Sequence, residues 1–227
     1  MDTLEPQAFS LAIGEAASVS ALLLAPPRAC ACLVLAHGAG AGMTHSFMDA
    51  VAQGLAGRGI ATLRYQFPYM ERGSRRPDVP ALAHATVRAA VAEAAQRLPG
   101  VPLLAGGKSF GGRMTSQAQA ASPLPGVCGI VFLGFPLHPA GKPAMERAAH
   151  LAEVRLPMFF AQGTRDELAD EQLVRSLIAQ LGARATLEMI DQADHTFHVP
   201  AKSGRKDAEV LDALLDTLAA WTTRVLG

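Results

Sequence analysis

A chain of 227 residues, half of them hydrophobic, is long enough for one α/β domain with a sizeable core. Twenty basic side chains balance twenty acidic ones, so charge gives no sign of nucleic acid or an anionic membrane as partner. No apolar run approaches the ~18 residues of a membrane span, and the acidic start MDTLEPQ lacks a basic-then-apolar leader, which makes the cytoplasm the expected location.

The stretch AFSLAIGEAASVSALLLAP predicts an N-terminal hairpin. Apolar runs then predict strands at Cys30–Ala36, Ala61–Tyr65, Pro102–Ala105, Gly129–Leu133, Met158–Gln162 and Thr186–Ile190. Helical segments fall at Phe47–Arg58, Leu82–Arg97, Phe110–Ala121 and Glu171–Leu181, with a last one over Lys206–Val225. Most of the strand runs lack polar alternation, which suits a parallel sheet buried on both faces. Strand alternating with helix implies right-handed crossovers and an open, mostly parallel, doubly wound sheet. No repeat, low-complexity tract or linker interrupts residues 1–227, so a single α/β domain is expected. Cys30 and Cys32 would share one strand face and have no further ligands at metal-site spacing. With Cys128 they read as buried thiols, and the odd count argues against a disulfide framework.

In such a sheet, ligands bind beyond the C-terminal ends of the strands. The stretch LLAGGKSFGGRMTS, Leu103–Ser116, lies at one of these ends and permits two readings. A phosphate-binding loop needs a glycine five residues before Gly107, and that position is Pro102. The earlier HGAGAGM likewise fails the dinucleotide pattern, because its third glycine would be Met43. The other reading fits: Gly107-Lys108-Ser109-Phe110-Gly111 between strand and helix is a nucleophile elbow, with small residues where neighbouring backbones pass close. Ser109 would then stand at a helix N-terminus, where the N–H of Phe110 faces a developing oxyanion. The competing role for Ser109 is a plain helix cap.

A serine hydroxyl needs a base to take its proton and a carboxylate to orient that base. In this architecture the chain order is serine, acid, histidine. Asp166 follows the strand MFFAQ and His195 follows TLEMI, in that order. Asp170 competes with Asp166 but precedes a helix and reads as its N-cap. His198 competes with His195 three residues on, and Asp194 reads as turn chemistry.

Taken together, VLAHGAGAGMTHSFM, LRYQFPYMERG, LLAGGKSFGGRM, GFPLHPAGKP, AQGTRDELA and DQADHTFHVP resemble the α/β-hydrolases of the dienelactone-hydrolase-like group. The likeness is nearest a small branch of predicted hydrolases that includes a testis-expressed protein and a chromatin-complex subunit. It implies the α/β-hydrolase fold and a triad of Ser109, Asp166 and His195, the base being placed in Asp-His-Thr-Phe. It also implies that the HGAGAG turn helps form the oxyanion hole, with Ala39 or Gly40 as second donor. His37 there reads as a turn-bracing hydrogen bonder. Dienelactone hydrolases proper use cysteine where this chain has Ser109, so their substrate does not carry over.

Many relatives insert a helical cap after the strand that ends at Leu133. Here Gly134–Leu156 holds only FPLHPAGKP and a short helix, Ala144–Ala152, so no cap domain is expected. Phe67, Tyr69, Met70 and Leu137 are the candidates for the acyl pocket, with ordinary loop packing as their alternative. Lys108 lies beside Ser109 and reads either as part of the site or as a solvated side chain on its turn, while Arg72, Arg75 and Arg76 read as a solvated basic loop, or as one that favours substrates carrying a carboxylate or phosphate if it borders the pocket. The expected activity is hydrolysis of an ester, thioester or lactone in a small-molecule substrate, with no cofactor or metal implied. An amidase on the same triad and a non-catalytic scaffold are the alternatives.

Overall fold

The structure is a computed structural model that describes residues 4–14 and 17–227. Eight strands form one sheet: β1 (Gln7–Ile13), β2 (Ala17–Leu24), β3 (Ala31–Ala36), β4 (Ile60–Tyr65), β5 (Leu103–Lys108), β6 (Val127–Leu133), β7 (Met158–Gly163) and β8 (Ala185–Ile190). Their spatial order is β1-β2-β4-β3-β5-β6-β7-β8. β1 and β2 pair antiparallel, as do β2 and β4, and the strands from β4 through β8 pair in parallel. The two strands of the expected hairpin therefore pair; residues 15–16 lie outside the described residues.

Among the described residues there are six α-helices: α1 (Ser46–Ala56), the single turn α2 (Pro68–Glu71), α3 (Pro80–Arg97), α4 (Phe110–Ala121) and α5 (Glu171–Leu181) lie between strands, and α6 (Asp207–Leu226) follows the last one. Strands β3, β4, β5 and β7 are buried along nearly their whole length, because helices cover both faces. On one face Met48, Val51 and Leu55 of α1 join Leu214, Leu218 and Trp221 of α6 over Leu33, Leu104 and Phe159. On the other, Val87 and Val91 of α3, Met114 and Ala118 of α4 and Val174 and Leu177 of α5 pack on Val34, Ala105, Phe132 and Phe160. The segment expected to form a helix after β6 is a 3₁₀ stretch, Glu146–Glu153, and no cap domain covers the sheet ends.

Two cysteines depart from the expected burial: Cys128 is only half-buried, and Cys30 is exposed. Cys32 is buried within β3, but Cys30 precedes the strand and sets its thiol against the carbonyl oxygen of Gly59 at 3.3 Å.

Topology fixes where a ligand can sit. From β3 the chain goes to β4 on one side, then crosses back to β5 on the other. The crevice at the C-terminal ends of β3 and β5 is thus the point where strand order reverses. A buried charge anchors one bank of it: Arg64 of β4, 1% exposed, pairs with Asp49 of α1 at 3.1 Å and donates to the Met43 carbonyl.

Candidate active site

At the end of β5 the chain turns sharply into α4, and Ser109 occupies the turn at φ +49° and ψ −113°. This conformation is sparsely populated for a residue with a side chain and stores roughly 1–3 kcal/mol. Two close approaches hold it. A Cβ at Gly107 would lie 2.2 Å from the Ala36 carbonyl oxygen, and one at Gly111 would lie 2.5 Å from that of His37. Only glycine lets β5 and α4 press so near the end of β3. Ser109 makes no side-chain cap on α4, so the plain-cap reading is excluded. Its hydroxyl points to a histidine instead.

Ser109 Oγ lies 2.8 Å from His195 Nε2, and His195 Nδ1 lies 2.7 Å from Asp166 Oδ2. With Asp166 ionised, Nδ1 donates to it and Nε2 is left to accept the serine proton. The Asp166 side chain is wholly buried, whereas His195 keeps 21% of its side-chain surface exposed. Asp166 is held from two more directions, by Gln162 Nε2 and by the Leu168 N–H at 2.8 Å. Gln162 Oε1 accepts in turn from the Phe135 N–H at 2.9 Å. The sequence signal for Gln162 was a polar residue within the otherwise apolar strand MFFAQG, and its role was missed.

The competing residues have other partners. Asp170 caps α5 by accepting from the Leu173 N–H at 3.0 Å. His198 is exposed and bonds Asp207 at 2.8 Å, which raises its pKa. Asp194 accepts from the backbone N–H groups of Thr196 and His198. His37 is buried, and that burial lowers its pKa and keeps it neutral. Its Nε2 accepts from the Phe67 N–H at 2.9 Å, leaving Nδ1 to donate to the Gly38 carbonyl at 2.8 Å. It braces the turn.

Chain comparison identifies the family. The model for the alpha/beta hydrolase domain matches residues 29–223. The chain belongs to the α/β-hydrolase family. Among solved structures, the hydrolase resembles a dienelactone hydrolase from Anabaena variabilis with a TM-score of 0.77 at 20% identity, covering 98% of this chain and 99% of that one. It also resembles a lidless serine hydrolase from Xanthomonas campestris with a TM-score of 0.72 at 22% identity, covering 96% and 95%. A cold-adapted esterase from an Arctic intertidal metagenomic library matches with a TM-score of 0.69 at 20% identity, covering 96% and 94%. At such identities these likenesses show the fold.

Beside Ser109 this α/β-hydrolase has a cavity of about 280 Å³, lined by Gly38, Ala39, Ala41, His45, Phe47, Met48, Lys108, His195 and Thr196. Ala39 borders it and Gly40 does not, and the Phe110 N–H stands in the first turn of α4 beside Ser109. The cavity wall corrects the acyl-pocket expectation. Phe67, Tyr69 and Leu137 are wholly buried, and Met70 packs partly buried against the same core. Phe67 and Tyr69 pack edge-on against the Phe110 ring beneath the elbow. They build the floor under the site and not its surface, because α2 turns their side chains inward.

The basic loop is likewise remote. Arg72 pairs with Asp78 at 2.9 Å, Arg75 and Arg76 are exposed, and none of the three lines the cavity. The wall comes instead from the start of α1, where His45 caps the helix by accepting from the Phe47 N–H at 3.2 Å. Of the two readings of Lys108, the solvated one does not hold. It lies folded against the site, and its ammonium donates to the main-chain carbonyl of His195.

Proposed function

We propose that this α/β-hydrolase is a serine hydrolase that cleaves small carboxylic esters, thioesters or lactones. The observation that carries the reading is the unbroken relay from Ser109 to His195 to Asp166, set on a strained elbow beside a cavity. Ser109 Oγ attacks the carbonyl carbon as its proton passes to His195 Nε2. Asp166 holds the Nδ1 proton and stabilises the imidazolium. Oxygen charge on the tetrahedral intermediate is met by the N–H groups of Phe110 and Ala39. Collapse expels the alcohol or thiol, which takes the proton from Nε2 and leaves an acyl-serine. Water then attacks the acyl carbon, gives a proton to Nε2, and releases the acid with Ser109 restored.

The cavity size and the absence of a cap domain favour short acyl groups. The solved structures that resemble this chain include esterases and a serine hydrolase without a lid, in keeping with this choice. The motif likeness to the small predicted-hydrolase branch supports the same reaction and names no substrate. A fluorophosphonate probe read by intact mass tests the proposal: one adduct is expected, mapped to the peptide containing GGKSFGGR and absent from Ser109→Ala. An unmodified wild-type protein would make the chain a non-catalytic relative.

A further inference from the structure

Lys108 is the residue just before the elbow serine, and the hydrolytic steps above give it no task. Its stem passes beside the oxyanion turn: a Cβ on Gly38 would lie 3.5 Å from Lys108 Cγ. Its ammonium ends on the main-chain carbonyl of His195, the proposed base itself. Two aromatic rings flank it, Phe197 at 4.9 Å and Phe47 at 5.8 Å from ring centre to Nζ. Those rings stack on each other with centroids 5.8 Å apart and planes 19° from parallel. Phe197 belongs to the loop of the base and sits at φ +65°, so that loop is strained where it meets the lysine. Gly134 leaves room for the arrangement, since a Cβ there would lie 2.7 Å from Nζ and 3.4 Å from the His195 ring.

We propose that Lys108 is a positioning residue: its ammonium straps the loop carrying His195 to the strand carrying Ser109 and so fixes the serine–histidine distance. The proposal rests on the serine-hydrolase reading. It follows from what each end of the strap is tied to. One end is covalently adjacent to Ser109, and the other grips the backbone of His195. Nothing else in the side-chain hydrogen bonds joins these two segments except the Ser109–His195 bond itself. A charge-assisted bond and two ring faces, sheltered from water, give the strap its strength.

The strap also titrates. Asp166, Asp194, His195 and the cavity-wall His45 are the titratable groups facing Lys108. Burial, partly offset by Asp166 and Asp194, brings the ammonium down from 10.5 to about 8. Above that pH the amine still donates a hydrogen bond but loses its charge assistance and its attraction to the rings.

The experiment compares wild type, Lys108→Met and Lys108→Gln on one short activated ester, with fluorophosphonate labelling of wild type as the first control. Lys108→Met is expected to lose about 10–100-fold in kcat with KM nearly unchanged, the scale of a base displaced by about an ångström. Lys108→Gln, which keeps a neutral donor, should recover part of that loss. Wild-type kcat should fall to a lower plateau above pH ~8, and both variants should lack that step. If wild type is labelled but Lys108→Met keeps wild-type kcat and the alkaline step, the strap is refuted. A rise in KM confined to anionic esters would also overturn it, by making Lys108 a substrate contact. Failure of wild type to label would refute the hydrolase reading first, a distinct result.

Discussion

Replacing Lys108 with methionine should make the protein more stable while making it a poorer catalyst. An ammonium whose pKa falls from 10.5 to about 8 on folding carries a penalty of ~3 kcal/mol at pH 7. Methionine fills a similar volume without charge, but leaves the His195 carbonyl without its donor, a loss of about 1 kcal/mol. The net gain is ~2 kcal/mol, or roughly 4–8 °C in Tm for a domain of this size. The sign has a pH signature. Between pH 8 and 10.5 the unfolded lysine binds a proton that the folded one has released, so wild-type stability rises with pH relative to the variant. By pH 9.5 the penalty shrinks to ~1 kcal/mol and the two proteins should nearly coincide. Urea unfolding of both proteins at pH 7 and 9.5 measures this. A variant that is less stable at pH 7, or a difference that stays constant with pH, would refute the claim that the buried ammonium destabilises the fold.

The remaining expectations concern the site itself. His195→Ala should lose at least ~10³-fold in kcat, as should Ser109→Ala, because triad members act as a unit; His198→Ala, on an exposed pair with Asp207, should stay within a few-fold on the same ester assay. Gly111→Ala should lower the unfolding free energy by ~3 kcal/mol, and the urea midpoint with it, because its Cβ meets backbone oxygens of His37 and Ala36 at 2.5 and 2.6 Å at the end of β3; an unchanged midpoint would contradict the close packing at the elbow. Across p-nitrophenyl esters, kcat/KM should peak at short acyl chains, since each further methylene gains up to ~0.8 kcal/mol only while a wall remains to bury it. A steady rise to long chains would mean that a larger surface than the cavity beside Ser109 receives the acyl group.

Reading the fold from sequence succeeded where burial left a periodic trace. The two-sided sheet wrote nearly continuous apolar runs at β3, β6 and β7, and the elbow wrote glycines at positions where a Cβ would strike backbone. Ser109 and Asp166 were legible because each follows a strand, and His195 is preferred to His198 on the family resemblance; the structure brings the three within hydrogen-bond distance. The pocket was not legible. Phe67 and Tyr69 carry the composition of a binding wall, but one turn of α2 rotates them into the core. Composition does not record the direction in which a loop residue points. Lys108 stayed undecided in the sequence for a related reason: a lysine in a turn normally reaches solvent, and the rings of Phe47 and Phe197, far away in sequence, make an inward path favourable.

The origin of the cavity wall has a consequence for how such a site can change. Ala41, His45, Phe47 and Met48 come from one short stretch, whereas Ser109, Asp166 and His195 come from three other strand ends. Arg64 ties that stretch to β4, through Met43 and Asp49, and β4 carries none of the reacting groups. Fit and chemistry are therefore separable in this chain. If the proposed function holds, substitutions at Ala41, His45 and Met48 would reshape the wall without touching the relay, whereas Phe47 also flanks Lys108 and would disturb both.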